Sequence, residues 1–173
     1  ITGMAIRPDD KIVLALYVGG HPALAQLHPN ASSLDTFFSQ KGWRILEPRF
    51  AFNKKQGQMI LQTDGKALFV GTEGQEENRG MVLFRFTSNG LPDFTFGNGG
   101  KATLTEGFGE NTGEYIHLLE DGSILVLGSL PSQLGVNIYV AKFDSDGLLD
   151  NTFAQSGIFR LEEPSIIYRK GFG

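Results

Sequence analysis

A ten-residue segment occurs three times in this chain, and this repetition constrains the fold more than any other feature of the sequence. The copies read SLDTFFSQKG at 33–42, LPDFTFGNGG at 91–100 and LLDNTFAQSG at 148–157. An aspartate, a phenylalanine and a glycine recur at matching positions: Asp35, Asp93 and Asp150; Phe38, Phe96 and Phe153; Gly42, Gly100 and Gly157. The aspartates are 58 and 57 residues apart, so the sequence predicts three structural repeats of about 57 residues.

Two further landmarks recur with nearly the same spacing. An aspartate followed by an apolar run comes early in each repeat, in RPDDKIVLAL at 7–16, QTDGKALFVG at 62–71 and LEDGSILVLG at 119–128. Between this landmark and the ten-residue segment, Gln26, Arg85 and Lys142 stand at matching positions, each followed by an apolar residue. All three landmarks therefore belong to one duplicated unit.

Each repeat predicts four short strands, which in the second repeat are 59–62, 67–70, 81–86 and 102–105. Asp-Gly between the first two strands favours a tight turn, because glycine accepts positive φ. A four-stranded unit that recurs in this way is typical of a propeller blade. We therefore predict an all-β fold, a β-propeller of three antiparallel four-stranded blades at about 1–49, 57–107 and 113–163. The blades and a C-terminal tail, 164–173, would form a single propeller-like domain.

These motifs together resemble the delta-60 repeat, a bacterial β-propeller repeat of unknown function. The resemblance extends over about residues 4–161, and the second repeat matches it best. The first repeat departs most, because Asp10 stands in place of the turn glycine and Ala31 in place of a second glycine. The resemblance implies a propeller scaffold in a secreted, cell-surface or periplasmic protein, and it carries over no catalytic residues.

The predicted number of blades needs an explanation, because closed propellers usually have four to eight. Three explanations stay open at this point. Two copies of the chain could form a dimer that completes a six-bladed ring, since closed symmetric oligomers are common. The chain could instead be part of a larger propeller, or three broad blades could close alone.

The repeated residues favour structural roles. Catalysis rarely needs the same carboxylate in every blade, so we interpret Asp35, Asp93 and Asp150 as caps for backbone N–H groups in their own loops. We interpret the repeated phenylalanines as plugs between blades and the repeated glycines as turn residues.

One loop predicts a weak calcium site. Asp144, Asp146 and Asp150 lie in DSDGLLD, and calcium takes several oxygen ligands on a tight glycine-bearing loop. The alternative is a plain hairpin turn, because a full EF-hand-type loop needs a further acidic ligand. No other cofactor is predicted, since the chain has no cysteine and its three histidines lie at unrelated repeat positions.

A lone tryptophan, Trp43, opens the fourth strand of the first repeat. An exposed indole ring stacks on a sugar or covers apolar surface, so Trp43 is a candidate carbohydrate contact. A hydrolase is a more distant alternative, which would need His117 beside a carboxylate in a deep pocket.

We therefore predict a non-catalytic scaffold or interaction module that assembles with itself or binds a protein partner. The alternative is a carbohydrate- or small-ligand-binding propeller with the calcium site. A net charge of -4 argues against nucleic acid as the partner. The sequence contains no run of about 18 apolar residues, so it predicts no transmembrane segment.

Overall fold

The computed structural model of the chain describes residues 3–18, 21–45, 58–73, 80–104, 111–132 and 135–161. These residues form twelve strands and a short 3-10 turn at Phe38–Gln40. In chain order the strands are β1 Gly3–Ile6, β2 Ile12–Val18, β3 His21–Leu27, β4 Trp43–Ile45, β5 Gln58–Leu61, β6 Ala67–Glu73, β7 Gly80–Phe86, β8 Lys101–Leu104, β9 Thr112–Leu118, β10 Ile124–Ser132, β11 Gly135–Phe143 and β12 Ile158–Leu161.

The strands form three antiparallel sheets, each made of four strands in chain order. The first sheet contains β1 to β4, the middle sheet β5 to β8 and the third sheet β9 to β12. A tight turn joins the first two strands of each sheet. Its positive-φ position is Asp10 (61°), Gly65 (81°) or Gly122 (84°), and aspartate tolerates that conformation because its side chain is short and polar.

The middle sheet is packed on both faces. On one face, Val82 and Phe84 lie in a buried cluster with Leu24 of the first sheet. On the other face, Leu83 lies in a second cluster with Ile124 of the third sheet. Neighbouring sheets also meet along β1, β5 and β9. Sheets stacked in this order, each with its first strand innermost, resemble successive propeller blades.

The prediction of an all-β fold with four-stranded antiparallel units is confirmed. In the second repeat each predicted strand begins within one residue of the observed one, and β6 continues three residues further, to Glu73. The repeat length, the blade number and the domain bounds stay predictions, and the tail 164–173 lies outside the described residues. Within the described ranges, no helix is long and apolar enough to cross a membrane.

Candidate functional site: the joints between sheets

The Asp–Phe–Gly loops of the three repeats share two backbone hydrogen bonds. In the middle repeat, the N–H of Phe96 donates to the carbonyl of Asp93 (3.1 Å) and the N–H of Gly100 donates to the carbonyl of Phe96 (2.9 Å). The corresponding bonds form in the other two loops. Each aspartate Oδ1 also accepts a bond from the backbone N–H two residues later, at Phe37, Thr95 or Thr152. These shared bonds fix the main chain on both sides of the phenylalanine in each loop.

The phenylalanines of the first two loops pack against a glycine of the next sheet. Phe38 is 2% exposed and Phe96 is 0% exposed. A β-carbon added to Gly90 would lie 2.6 Å from Cε1 of Phe38, and one added to Gly147 would lie 2.7 Å from Cζ of Phe96. Carbon atoms in a packed interior do not approach so closely, so each ring requires glycine beneath it. We call this contact the ring–glycine joint.

A backbone hydrogen bond accompanies each ring–glycine joint. The N–H of Ser39, which follows Phe38, donates to the carbonyl of Asn89 at 2.9 Å. The N–H of Gly97, which follows Phe96, donates to the carbonyl of Asp146 at 2.6 Å. Both donors have positive φ, 51° and 54°. The acceptors directly precede Gly90 and Gly147, so ring and N–H engage consecutive residues of the next sheet.

An arginine completes each joint by donating to the same turn. Nη2 of Arg7 donates to the carbonyl of Ser88 at 2.9 Å, and Nη1 of Arg85 donates to the carbonyl of Ser145 at 2.6 Å. The two serines are matching positions of the repeat. The Arg85 guanidinium also lies 4.6 Å from the ring centroid of Phe96, within range of a cation–π interaction. Charge-assisted donors therefore hold each sheet to the next.

The two arginines come from different strands. Arg7 directly follows β1, whereas Arg85 lies in β7. The first repeat has Gln26 at the position of Arg85, and the second repeat has Gln62 at the position of Arg7. Gln26 accepts from Nε of Arg7 at 2.6 Å and donates to Asp35 at 2.8 Å. Arginine and glutamine have thus exchanged places between repeats, while the acceptor carbonyl has stayed the same. We call this the arginine–glutamine exchange.

Lysines of the hairpin turns neutralise the loop aspartates. Nζ of Lys66 lies 3.1 Å from Oδ2 of Asp93, and Lys11 lies at the same distance from Asp35. Nε of Arg85 approaches Asp93 at 2.8 Å. Burial by itself raises the pKa of Asp93, but hydrogen bonds from the neighbouring threonine and lysine and the arginine charge outweigh it. The net pKa of this carboxyl is well below its usual range, so it is ionised at neutral pH.

The third repeat has a different set of charged partners. Ser123 replaces the turn lysine, and Lys142 in β11 supplies the positive charge, with Nζ 2.9 Å from Oδ2 of Asp150. Hydrogen bonds from Thr152 and Lys142 lower the pKa of Asp150 to about 2. The loop of the third repeat thus keeps its aspartate ionised as well.

Two of the three aspartate side chains of the predicted calcium site, Asp144 and Asp150, have separate structural roles. Oδ1 of Asp144 accepts bonds from the N–H groups of Asp146 and Leu148, both at 2.9 Å, and thereby closes the turn. Asp150 pairs with Lys142. In the part of the chain that the structure describes, no group of three or more His, Cys, Asp or Glu side chains is arranged to hold a metal ion. Calcium binding at this loop stays a prediction.

A polar cleft of about 230 Å³ opens at the joint between the first and middle sheets. Arg7, Lys11, Asp35, Phe37 and Asn89 are among the residues that line it. The guanidinium donates to backbone carbonyls, and the lysine and aspartate pair with each other. Because these charges are compensated within the protein, the cleft suits ordered water better than a charged ligand.

The outward faces of the first and third sheets are apolar and exposed. On the first sheet the exposed residues are Met4, Ile6, Val18, Trp43 and Ile45. On the third sheet they are Tyr115, Leu127, Ile138, Phe159 and Leu161. Met4 is 64% exposed and Tyr115 is 59% exposed, so these faces do not cover each other. The prediction that Trp43 binds a sugar stays a prediction.

Sequence reasoning identified the phenylalanines and aspartates of the joints but missed the acceptor side. Gly90 and Gly147 end the matching stretches TSNG and DSDG, 57 residues apart. They are the second glycine that Ala31 replaces, but their recurrence alone did not reveal the ring that packs on them. Arg7 has no such signal, because arginine does not recur at its repeat position. Its role follows from the carbonyls that it reaches.

Comparison with known families finds a match inside the third repeat. A family described as a domain of unknown function (DUF5122) beta-propeller matches residues 119–153. The match lies within one repeat. It runs from the hairpin before β10 to Phe153 and supports a β-propeller repeat family. The finer resemblance to the delta-60 repeat stays a prediction, and no curated protein matches the chain significantly.

Proposed function

We propose that this chain is a non-catalytic interaction module of the propeller type, which binds other protein surfaces through its outward sheet faces. The outward face of the third sheet carries this proposal, because it repeats a face that is buried elsewhere in the molecule. Val70 and Met81 of the middle sheet are 0% exposed against the third sheet. Their counterparts 57 residues later, Leu127 and Ile138, are 37% and 45% exposed. An exposed apolar face of this kind marks an interface.

The outward face of the first sheet supports the same function. Trp43 pairs with Ala25 across β3 and β4, and Ile45 follows it on the same face of β4. Met4 and Ile6 extend this apolar surface along β1. Apolar neighbours around the indole ring favour a protein partner over a sugar, which also needs polar groups beside the stacked ring.

The charged residues of the joints support a structural role. The guanidinium groups of Arg7 and Arg85 donate to carbonyls of the neighbouring sheet. The carboxylates of Asp35 and Asp93 pair with cations of their own repeat. Groups committed in this way have little capacity for proton transfer or nucleophilic attack. A secreted or cell-surface location and the calcium- or sugar-binding alternative stay predictions.

An apolar fluorescent dye tests whether the outward faces are available for binding. We expect the folded chain to bind the dye, because two apolar faces are exposed. Ile6→Lys on the first sheet and Ile138→Lys on the third should each lower the bound fraction, and the double variant should lower it furthest. Titration of dye fluorescence at equal protein concentration gives the bound fraction.

Phe37→Lys is the matched control. Phe37 is 90% exposed but lies in a loop outside both faces, so its replacement should leave dye binding unchanged. A folded chain that binds no dye would show that other segments cover both faces, and the proposed function would then be wrong.

A further inference from the structure

The third sheet has the phenylalanine and the backbone N–H of another joint, while Leu119 and Lys142 stand where the earlier repeats have the arginine and glutamine. Phe153 stands where Phe38 and Phe96 stand in the earlier loops, with the same hydrogen bonds to its loop. The next residue, Ala154, has φ 46°, close to the 51° and 54° of the two N–H donors that reach the following sheet. Phe153 is half-buried, whereas the other two rings are fully buried.

The outward face around Phe153 has the composition of an inner face. Four of its five exposed apolar residues match buried apolar residues of the middle sheet that the third sheet covers, and the fifth, Tyr115, matches Gln58. Phe159 and Leu161 on β12, for example, match Ala102 and Leu104 on β8. The outward face of the third sheet thus resembles the faces that form the two interfaces between sheets within the chain.

The acceptor half of such a joint is a glycine turn after a third strand, and this chain has two. The ring of Phe38 already packs on Gly90, and the ring of Phe96 packs on Gly147. The matching turn of the first sheet ends in Ala31, which has φ 52° and therefore the same left-handed conformation. A β-carbon at either of the other two turns would overlap the phenyl ring, so the methyl group of Ala31 leaves no room for a ring.

We infer that the third sheet docks a further four-stranded sheet of this repeat whose turn after the third strand carries glycine, and that Ala31 excludes a second copy of this chain from that position. The inference rests on the proposed function and specifies its partner. Phe153 would cover the partner's glycine, and the N–H of Ala154 would donate to the residue before it. The apolar face of β9 to β12 would be buried in the same step.

The first experiment supplies such a partner from the chain itself. A second copy of residues 105–161 is inserted directly after Leu161. Leu161 matches Leu104, which precedes the third repeat, so the same connecting sequence precedes the added sheet and the third sheet. Amide hydrogen exchange measured by NMR should slow at Ala154 by about tenfold or more relative to the unextended chain. Gly147→Ala in the added copy should remove most of this protection. Equal exchange at Ala154 in the extended and unextended chains, or an added sheet that stays unfolded, would overturn the inference.

The second experiment tests the role assigned to Ala31. Sedimentation equilibrium should show that Ala31→Gly strengthens self-association at least about tenfold, because the variant supplies the missing glycine turn. Phe153→Ala added to this variant should cancel the gain. Phe94→Ala, which removes a ring that is 73% exposed in the loop of the middle repeat, should leave the gain unchanged. If the unaltered chain associates as tightly as Ala31→Gly, the exclusion of a second copy is wrong.

The outcomes separate this inference from the proposed function. Suppose that Ile138→Lys loses dye binding and that the Ala154 amide of the extended chain is not protected from exchange. The proposed function as an interaction module is then retained, and a partner with a glycine turn is rejected. Absence of dye binding in the folded chain rejects both.

Discussion

Single residues decide whether two sheets of this repeat can join. Gly90 and Gly147 each combine a left-handed backbone with the absence of a side chain, and the joint needs both properties. Ala31 has the backbone conformation without the space. The difference between a turn that receives a phenyl ring and one that does not is therefore one methyl group.

The space requirement can be measured apart from the backbone requirement. Gly147 and Gly122 have nearly the same φ, 83° and 84°, so alanine at either position costs about 1–2 kcal/mol for the left-handed conformation. At Gly147 the new methyl also overlaps the ring of Phe96, which should add about 1–3 kcal/mol. At Gly122 the nearest atom is Cβ of Ser145 at 3.5 Å. Urea unfolding of both variants gives the difference, and equal losses would show that the ring does not depend on the glycine.

At the scale of the strand, the arginine–glutamine exchange shows that two elements can supply the same contact. The guanidinium group arrives from the end of β1 in the first repeat and from β7 in the second. In both cases it reaches the carbonyl two residues before the glycine position. The joint therefore requires a charged donor at this carbonyl, and an arginine from either strand can supply it.

Exchanging the two residues in the first repeat tests this equivalence. Arg7→Gln should destabilise the chain by about 2–3 kcal/mol, because the carbonyls of Gly65 and Ser88 lose a charged donor. Adding Gln26→Arg should recover most of the loss, since arginine then stands where Arg85 stands in the second repeat. Gln26→Arg alone should be unfavourable, because it brings two guanidinium groups to one turn. Unfolding free energies of the four chains give the coupling, and additive losses would contradict the equivalence.

The strands could be predicted because their signals are local. An Asp-Gly turn such as that at Gly65, followed by an apolar run, can be recognised within a few residues. Its recurrence in the other repeats supports the assignment of turn and strand. The aromatic half of each joint was likewise predictable, because Phe38 and Phe96 recur. The polar half was not, because its acceptors are main-chain carbonyls that every residue has. The importance of Arg7 becomes visible once the next sheet is in place.

At the scale of the whole molecule, the sheets form a row in which each contacts its neighbours. The middle sheet has a buried cluster on each face, whereas the first and third sheets have one covered face and one exposed face. Stability in such an array is approximately the sum of sheet and interface contributions. The middle sheet takes part in two interfaces, so its opening is the most costly.

Hydrogen exchange should reveal this gradient. Amides of β6 and β7 should exchange about tenfold or more slowly than those of β1 and β12. Phe38→Ala should accelerate exchange in the first sheet more than in the third, and Phe96→Ala should do the reverse, because each variant empties one joint. Mass spectrometry of peptides from each sheet measures these rates. A uniform rate across the three sheets would show that the array opens as a single unit.

The arginine–glutamine exchange also limits how the gene for this chain can be rearranged. Tandem copies are multiplied and lost by crossing-over between similar stretches of DNA. The breakpoint of such a crossover can fall between codons 7 and 26 of the first copy and between codons 62 and 85 of the second. Its products are one copy with two arginines and one copy with two glutamines. The first crowds two cations at one carbonyl, and the second leaves the carbonyl without a charged donor. Recombination within this interval therefore weakens a joint, so the exchange disfavours fusion of these two neighbouring copies.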